Sequence, residues 1–209
     1  MFYDREDAAR QLAKKLEHLR GKNPLVLAIP RGAVNMAKII ADKLSGDYDV
    51  VLVRKLRAPY QPELAIGSVD ESGWTYIADY AASVGADNAY IENEKNLQLR
   101  TIQQRRAIYT PIRAPLAVEG RVVVVVDDGL ATGASMIAAL HSLKNNHTAR
   151  LICAVPVSPP STLNKIAQYA DEVVCLASPD DFQAVGQFYL SFPQVDDDEV
   201  MEILKAPVE

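Results

Sequence analysis

Apolar and polar positions fall into alternating blocks along this chain. Asp4 precedes a stretch in which Leu12, Leu16 and Leu19 recur on one helical face, which predicts a capped helix running to about Arg20. NPLVLAIP is a short continuous apolar run, the mark of a strand covered on both faces. RGAVNMAKIIADKLSG reads as a helix ending near Gly46, and DYDVVLVRK as a second covered strand. Pro59 and Pro62 turn LRAPYQPELAIG into a loop. SVDESGWTYIA has the alternation of a hairpin that turns at Glu71–Gly73. Residues 89–108 are polar and helical in character. RVVVVVDDG, RLICAVPVS and EVVCLAS are three further covered strands, separated by helices in TGASMIAALHSLKNN and over about 160–169.

Strands that alternate with helices predict an α/β fold: a mainly parallel twisted sheet with helices on both faces. The 68–78 hairpin and the tail form a smaller hood. No repeat or linker divides the chain, so one domain over residues 1–209 is expected.

Composition narrows the partners. The net charge of −5 disfavours non-specific binding to nucleic acid or to a membrane surface, each of which needs a basic field. No apolar run approaches the ~18 residues of a membrane span, and MFYDREDAARQ lacks a signal-peptide core. Cys153 and Cys175 each lie in an apolar run and read as buried free thiols. A soluble, cytoplasmic protein follows as the expectation. His18, His141 and His147 have no triad or metal spacing and are assigned to helix surfaces. Arg100, Arg105, Arg106 and Arg113 describe a basic helix face or a subunit contact, and Asp196–Glu199 a solvated helix start.

Ligands of such sheets bind at the carboxyl ends of the strands. Three strands bring unusual chemistry there: IPRGA, VRKLRAP and VDDGLATGAS. The last could be a metal-binding strand of a P-loop ATPase, but G-x-x-x-x-G-K-[ST] is missing upstream. It could belong to a dinucleotide fold, but Gly129 and Gly133 are four apart and follow a late strand. Residues 131–135 enter a helix whose first N–H groups are unsatisfied, and such a terminus binds phosphate. Gly133 and Ala134 admit a close anion, and Thr132 and Ser135 add hydroxyl donors. Asp127 and Asp128 repel phosphate but can accept hydrogen bonds from a diol beside it. Phosphate beside a vicinal diol describes a ribose 5-phosphate.

VVVVVDDGLATGAS resembles the signature of type I phosphoribosyltransferases, an apolar strand, two acids and a small-residue Thr-Gly loop. The resemblance implies binding of 5-phosphoribosyl 1-pyrophosphate (PRPP) by Asp127, Asp128, Gly129, Ala131, Thr132, Gly133, Ala134 and Ser135. IPRGA resembles the family's pyrophosphate loop, with Arg31 and Gly32 as its contacts and Ala33 where a second glycine is common. VRKLRAPYQPELAIG resembles the mobile loop that closes over PRPP. It clusters Arg54, Lys55 and Arg57, and Lys55 is the first choice for pyrophosphate. SPDDFQAVGQFY resembles the base-binding stretch of hypoxanthine-guanine members, with Phe182 as the stacking ring and Gly186 one residue late. Ala131 and Ser158 stand where those members read a 6-oxopurine. The order of motifs also resembles a subgroup named mainly from its motifs, which leaves the acceptor open.

The resemblance therefore implies a phosphoribosyltransferase that transfers the phosphoribosyl group of PRPP to an unidentified nitrogen acceptor. Asp127, Asp128 and Lys55 are its catalytic candidates. It further implies Mg2+ held mainly through PRPP and water, with no direct protein ligand, and a homodimer. The absent base-reading groups leave open a second reading, a PRPP- or nucleotide-sensing protein with little catalysis. Tyr60, Trp74 and Phe182 stay open as the lining of a base pocket.

Overall fold

The computed structural model describes residues 1–208. Helix α1 (Arg5–Lys15) begins where the Asp4 carboxylate accepts the Asp7 N–H, at 2.8 Å. It stops earlier than its periodicity predicts, because the chain tightens into a 3-10 turn at Glu17–Leu19 that still buries Leu16 and Leu19. Strand β1 (Leu25–Ala28) is followed by helix α2 (Val34–Leu44) and strand β2 (Asp47–Val50).

The expected strand DYDVVLVRK divides here. Its second half, β3 (Val53–Arg57), leaves the sheet and joins β4 (Ala65–Asp70) and β5 (Thr75–Ile77) in a small antiparallel hood. The cause is charge: Arg54, Lys55 and Arg57 could not be covered on both faces. The proline loop is shorter than its sequence suggests, since Ala65, Ile66 and Gly67 belong to β4. The hairpin turns at Glu71–Gly73 as predicted, with the Asp70 carboxylate accepting the Ser72 and Trp74 N–H groups. Helix α3 (Asn88–Tyr109), capped by Asp87, packs on β3 and β4.

Strand β6 (Val122–Val126), helix α4 (Ala134–Lys144), strand β7 (Arg150–Val157), helix α5 (Pro160–Ile166) and strand β8 (Glu172–Ala177) complete the main layer. Helix α6 (Asp197–Lys205) closes the chain, with Asp196 as its N-cap. The main sheet is parallel throughout, in the order β2-β1-β6-β7-β8.

Successive side chains on a strand point to opposite faces, and here both faces are buried. Val26, Ala28, Val124 and Val126 pack in one core with Leu12, Ala37 and Ile40 of α1 and α2. Leu25, Leu27, Val123 and Val125 pack in the other with Met136, Ile137 and Leu140 of α4. Cys153 is fully buried, and burial pushes its thiol well up; Cys175, on the edge strand β8, is only partly buried. Connections run outward from β1 to β2 on one side and from β6 to β8 on the other. The order thus reverses between β1 and β6, and the crevice at such a reversal is where open α/β sheets receive ligands.

Two expectations for the histidines change. His141 of α4 stacks on Trp74, with ring centroids 3.6 Å apart, and His147 lies in the turn before β7 at φ 55°. The arginines of α3 and the loop after it are largely engaged within the chain. Arg106 pairs with Glu71, Arg105 with Asp197, and Arg113 donates to the carbonyls of Tyr48, Leu204 and Ala206.

Candidate active site

The carboxyl ends of β1 and β6 open into a cavity of about 520 Å³. Arg31 and Gly32 enter it from the loop after β1, and Asp127, Asp128 and Ser135 from the β6–α4 connection. The hood contributes Arg54, Lys55 and Arg57, and the tail Val185 and Phe192. All three segments singled out in the sequence therefore meet here.

The β6–α4 loop is held in shape from two sides. Thr162 donates its hydroxyl to the Ala131 carbonyl, and Ser68 donates to the Ala134 carbonyl, each at 2.6 Å. Gly133 caps α4 at φ 76°, a left-handed conformation, and a Cβ there would lie 2.8 Å from the Thr162 methyl. The N-cap residue Gly133 has no side chain to cap this helix, and Thr132 Oγ1 accepts one long hydrogen bond from the Ala134 N–H, at 3.4 Å. The first turn of α4 is left open to a small side cavity lined by Thr132, Gly133, Ala134, Ser135 and Lys55. Partial positive charge concentrates at such an end.

The two acids differ. Burial pushes the Asp127 carboxyl well above the usual carboxylate range, and the neighbouring Asp128 charge adds to the rise. The Asp128 N–H, donating to Asp127 at 2.9 Å, and the charges of Lys55 and Arg5 pull the other way. Asp128 instead meets Arg5, whose Nε donates to Oδ2 at 2.8 Å. Arg5 also donates to the Pro193 carbonyl at 2.6 Å, and its guanidinium lies 3.8 Å from the Phe192 ring centroid. A Cβ on Gly32 would come within 2.5 Å of Asp128 Oδ2, so only glycine lets the β1 loop approach this pair so closely.

On the hood side, Glu94 and Gln98 of α3 are buried beneath β3. Glu94 accepts from the Arg57 side chain at 2.7 and 3.2 Å and from the Arg57 N–H at 3.1 Å. Burial would raise the Glu94 carboxyl, but these bonds and one from Gln98 hold it below its ordinary value. Gln98 accepts from Arg54 at 2.9 Å. Asp197 receives the Tyr109 hydroxyl at 2.5 Å and lies 3.7 Å from Arg31.

The aromatic lining differs from the expectation. Phe182 does not line the cavity; it packs on the core against Phe188, with ring centroids 5.3 Å apart. The ring at the cavity is Phe192, which packs against Tyr189. The Tyr189 hydroxyl donates to the Asp128 carbonyl at 2.6 Å. Tyr60 is 87% exposed, and Trp74 is stacked on His141. Ser158, directly after β7, is fully buried and is absent from the cavity lining. Arg5, Phe192, Glu94, Gln98, Thr162 and Ser68 belong to no motif in the sequence.

Among the described residues, no group of three or more His, Cys, Asp or Glu side chains could hold a metal by itself. The acids at the cavity are Asp127, Asp128 and Glu63, one of them already paired. That donor set fits a hard cation only if a ligand's phosphates and water supply most of its oxygens.

A crevice at the sheet reversal, an acid pair and the N-terminal end of α4 thus meet at one edge of the parallel sheet. The profile of the phosphoribosyl transferase domain family matches residues 2–193, and the chain belongs to that family. Proteins from two strains of Mycobacterium tuberculosis, provisionally named phosphoribosyl transferases, are 42% identical over 205 residues, 98% of this chain and 46% of theirs. The chain thus spans about half the length of the curated relatives it matches. The crystal structure of TT1426 from Thermus thermophilus is 44% identical, with a TM-score of 0.81 over 98% of this chain and 97% of that one. A hypothetical protein from Neisseria gonorrhoeae, solved with bound ppGpp, shares the fold at a TM-score of 0.50 and 14% identity, over 98% and 95% of the two chains. No described helix is long and apolar enough to cross a membrane.

Proposed function

We propose that this chain transfers the 5-phosphoribosyl group of PRPP to a nitrogen acceptor and releases pyrophosphate. The observation that carries the reading is the meeting, in one cavity, of the Asp127–Asp128 pair, the open end of α4 and the Arg31–Gly32 loop. The Thr132–Ser135 backbone and hydroxyls anchor the 5-phosphate and orient the sugar. Asp127 and Asp128 accept hydrogen bonds from the ribose hydroxyls. Arg5 takes Oδ2 of Asp128, and Oδ1 has no partner among the described residues. As the bond from C1 to pyrophosphate breaks and the bond from C1 to nitrogen forms, positive charge develops on the ring, and the two acids stabilise it. Arg31 and the Gly32 backbone receive the departing pyrophosphate, with cations of β3 beside them. Mg2+ bound through PRPP and water would neutralise part of that charge. The acceptor enters beside Val185 and Phe192, where a flat ring can stack without choice of base. A homodimer in the cytoplasm completes the proposal.

Pyrophosphate release from PRPP, followed across a panel of nitrogen bases, tests this reading. A wild-type rate in Asp128→Ala would remove the role given to the acid pair. A second reading, PRPP or nucleotide sensing, is favoured by Ala131 and the buried Ser158, which leave no group to read a purine, and by the Arg5–Asp128 pair, which occupies part of the sugar site. It requires tight PRPP binding with no pyrophosphate released for any acceptor.

A further inference from the structure

The acid pair of the cavity is braced from outside it. Phe2 pairs with Tyr189: its N–H donates to the Phe188 carbonyl at 2.8 Å, and its carbonyl accepts the Leu190 N–H at 2.9 Å. The rings of Phe2 and Tyr189 lie 5.4 Å apart. The pairing lays the N-terminus along the tail, so that Arg5, in the first turn of α1, meets Asp128. The tail then holds Asp128 by its backbone, through the Tyr189 hydroxyl, and α1 holds it by its side chain, through Arg5.

Arg5 reaches the carboxylate from behind. Asp128 and Gly32 line the main cavity, and Arg5 is absent from that lining. It lines instead a second cavity of about 180 Å³, together with Gly32, Ser191 and Pro193. The ion pair is thus part of the partition between the two cavities. It is largely buried, with 13% of the Arg5 side chain and 17% of the Asp128 side chain exposed. Gly32 closes over it: a Cβ there would lie 2.5 Å from Asp128 Oδ2 and 3.0 Å from Arg5 Nε. The guanidinium is itself fixed, by Nε on Asp128, by Nη1 on the Pro193 carbonyl and by its place over the Phe192 ring. An exposed pair of mobile side chains sets no geometry, whereas a charge-assisted bond between two fixed, largely buried groups sets an orientation. The carboxylate is held by Oδ2, and Oδ1 accepts no hydrogen bond among the described residues. Burial and Asp128 raise the Asp127 carboxyl, and the Arg5 charge is among those that oppose the rise.

We infer that Arg5 is a positioning residue for the sugar acids: it holds Asp128 by Oδ2 from the far side of the partition, so that Oδ1 is presented to a ribose hydroxyl. The inference rests on the PRPP reading. In this role Arg5 acts on the sugar through Asp128 and makes no ligand contact of its own.

Two ligands separate this role from general support of the fold. The full chain is titrated calorimetrically with ribose 5-phosphate, which carries the hydroxyls, and with inorganic pyrophosphate, which has none. Mg2+ is held fixed, and thermal melting checks that each variant folds. Arg5→Met keeps the apolar stem and removes the donor and the charge. It is expected to weaken ribose 5-phosphate about tenfold and pyrophosphate less than about twofold, the loss being that of one charge-assisted contact. Arg5→Gln makes the same comparison if Arg5→Met melts below the assay temperature. Arg5→Lys should recover most of the lost affinity, because the bond leaves from Nε, within reach of a lysine ammonium. In an Asp128→Asn background Arg5→Met should weaken ribose 5-phosphate by less than about twofold further, since its effect runs through that carboxylate. Unchanged or tighter binding of ribose 5-phosphate by Arg5→Met overturns the inference, the tighter case making Arg5 a plug of the sugar site. Equal losses for both ligands overturn it too, as does a loss in the Asp128→Asn background as large as that in the wild type. A wild type that binds neither ribose 5-phosphate nor PRPP overturns the proposed function itself.

Discussion

The two walls of the cavity are built in opposite ways. The wall proposed to receive the sugar phosphate is one continuous stretch, Val122 to Ser135, made of backbone and small residues. The facing wall is assembled from the hood, α3, the first turn of α1 and the tail, and it works through long charged side chains held by distant partners. Arg5 reaches Asp128 across 123 positions, and Arg54 reaches Gln98 across 44. A wall made of backbone tolerates few changes in shape. A wall made of arginines can change ligand by exchanging side chains, so the choice of acceptor is expected to reside there.

The sharpest break in that contrast is on the continuous wall. Asp128→Ala is expected to cut PRPP-dependent turnover by about 10²–10³, the usual cost of removing a charge-stabilising group, as measured by pyrophosphate release. Gly133→Val comes next. It forces a branched residue into a left-handed conformation and against Thr162, costing roughly 1–3 kcal/mol in denaturant unfolding and weakening ribose 5-phosphate. On the assembled wall the phenylalanines should separate. Phe192→Ala should alter the KM of the acceptor severalfold with PRPP affinity little changed. Phe182→Ala should cost roughly 1–2 kcal/mol of stability, less than the ~3–5 of a fully buried ring, and leave ligand binding intact.

The smallest effect expected is on pH dependence. Asp127 has its folded-state pKa raised, so the folded chain holds a proton that the unfolded chain releases. This group's contribution is most favourable below the ordinary aspartate range and declines as pH rises from about 3.9 through the raised folded value. Asp127→Asn should remove that decline. The gain in Tm over wild type is expected to be largest at neutral pH and to shrink toward pH 4, as read by thermal melts at both.

The same contrast explains what the sequence disclosed. The parallel sheet was legible because the residues that bury both of its faces are contiguous apolar runs, as in Val122–Val126. The two acids and the Thr-Gly bend were legible because the chemistry sits in consecutive residues. The break inside DYDVVLVRK was not, since local alternation does not reveal that β3 changes sheet; only the burden of covering three cations does. Phe192 was passed over for Phe182 because the local spacing of aromatic and glycine residues says nothing about which ring the tail turns to the cavity. Arg5 was invisible for a similar reason: its role comes from the pairing of Phe2 with Tyr189, which lays the N-terminus along the tail.

The central claim is that β6 and the α4 end build a ribose-phosphate site. Calorimetric titration of the purified protein with PRPP, with and without Mg2+, tests it most directly. The account predicts saturable binding that strengthens with Mg2+ and is lost in Asp128→Ala. Absence of heat at millimolar PRPP in both conditions, from a protein that melts cooperatively, would contradict it.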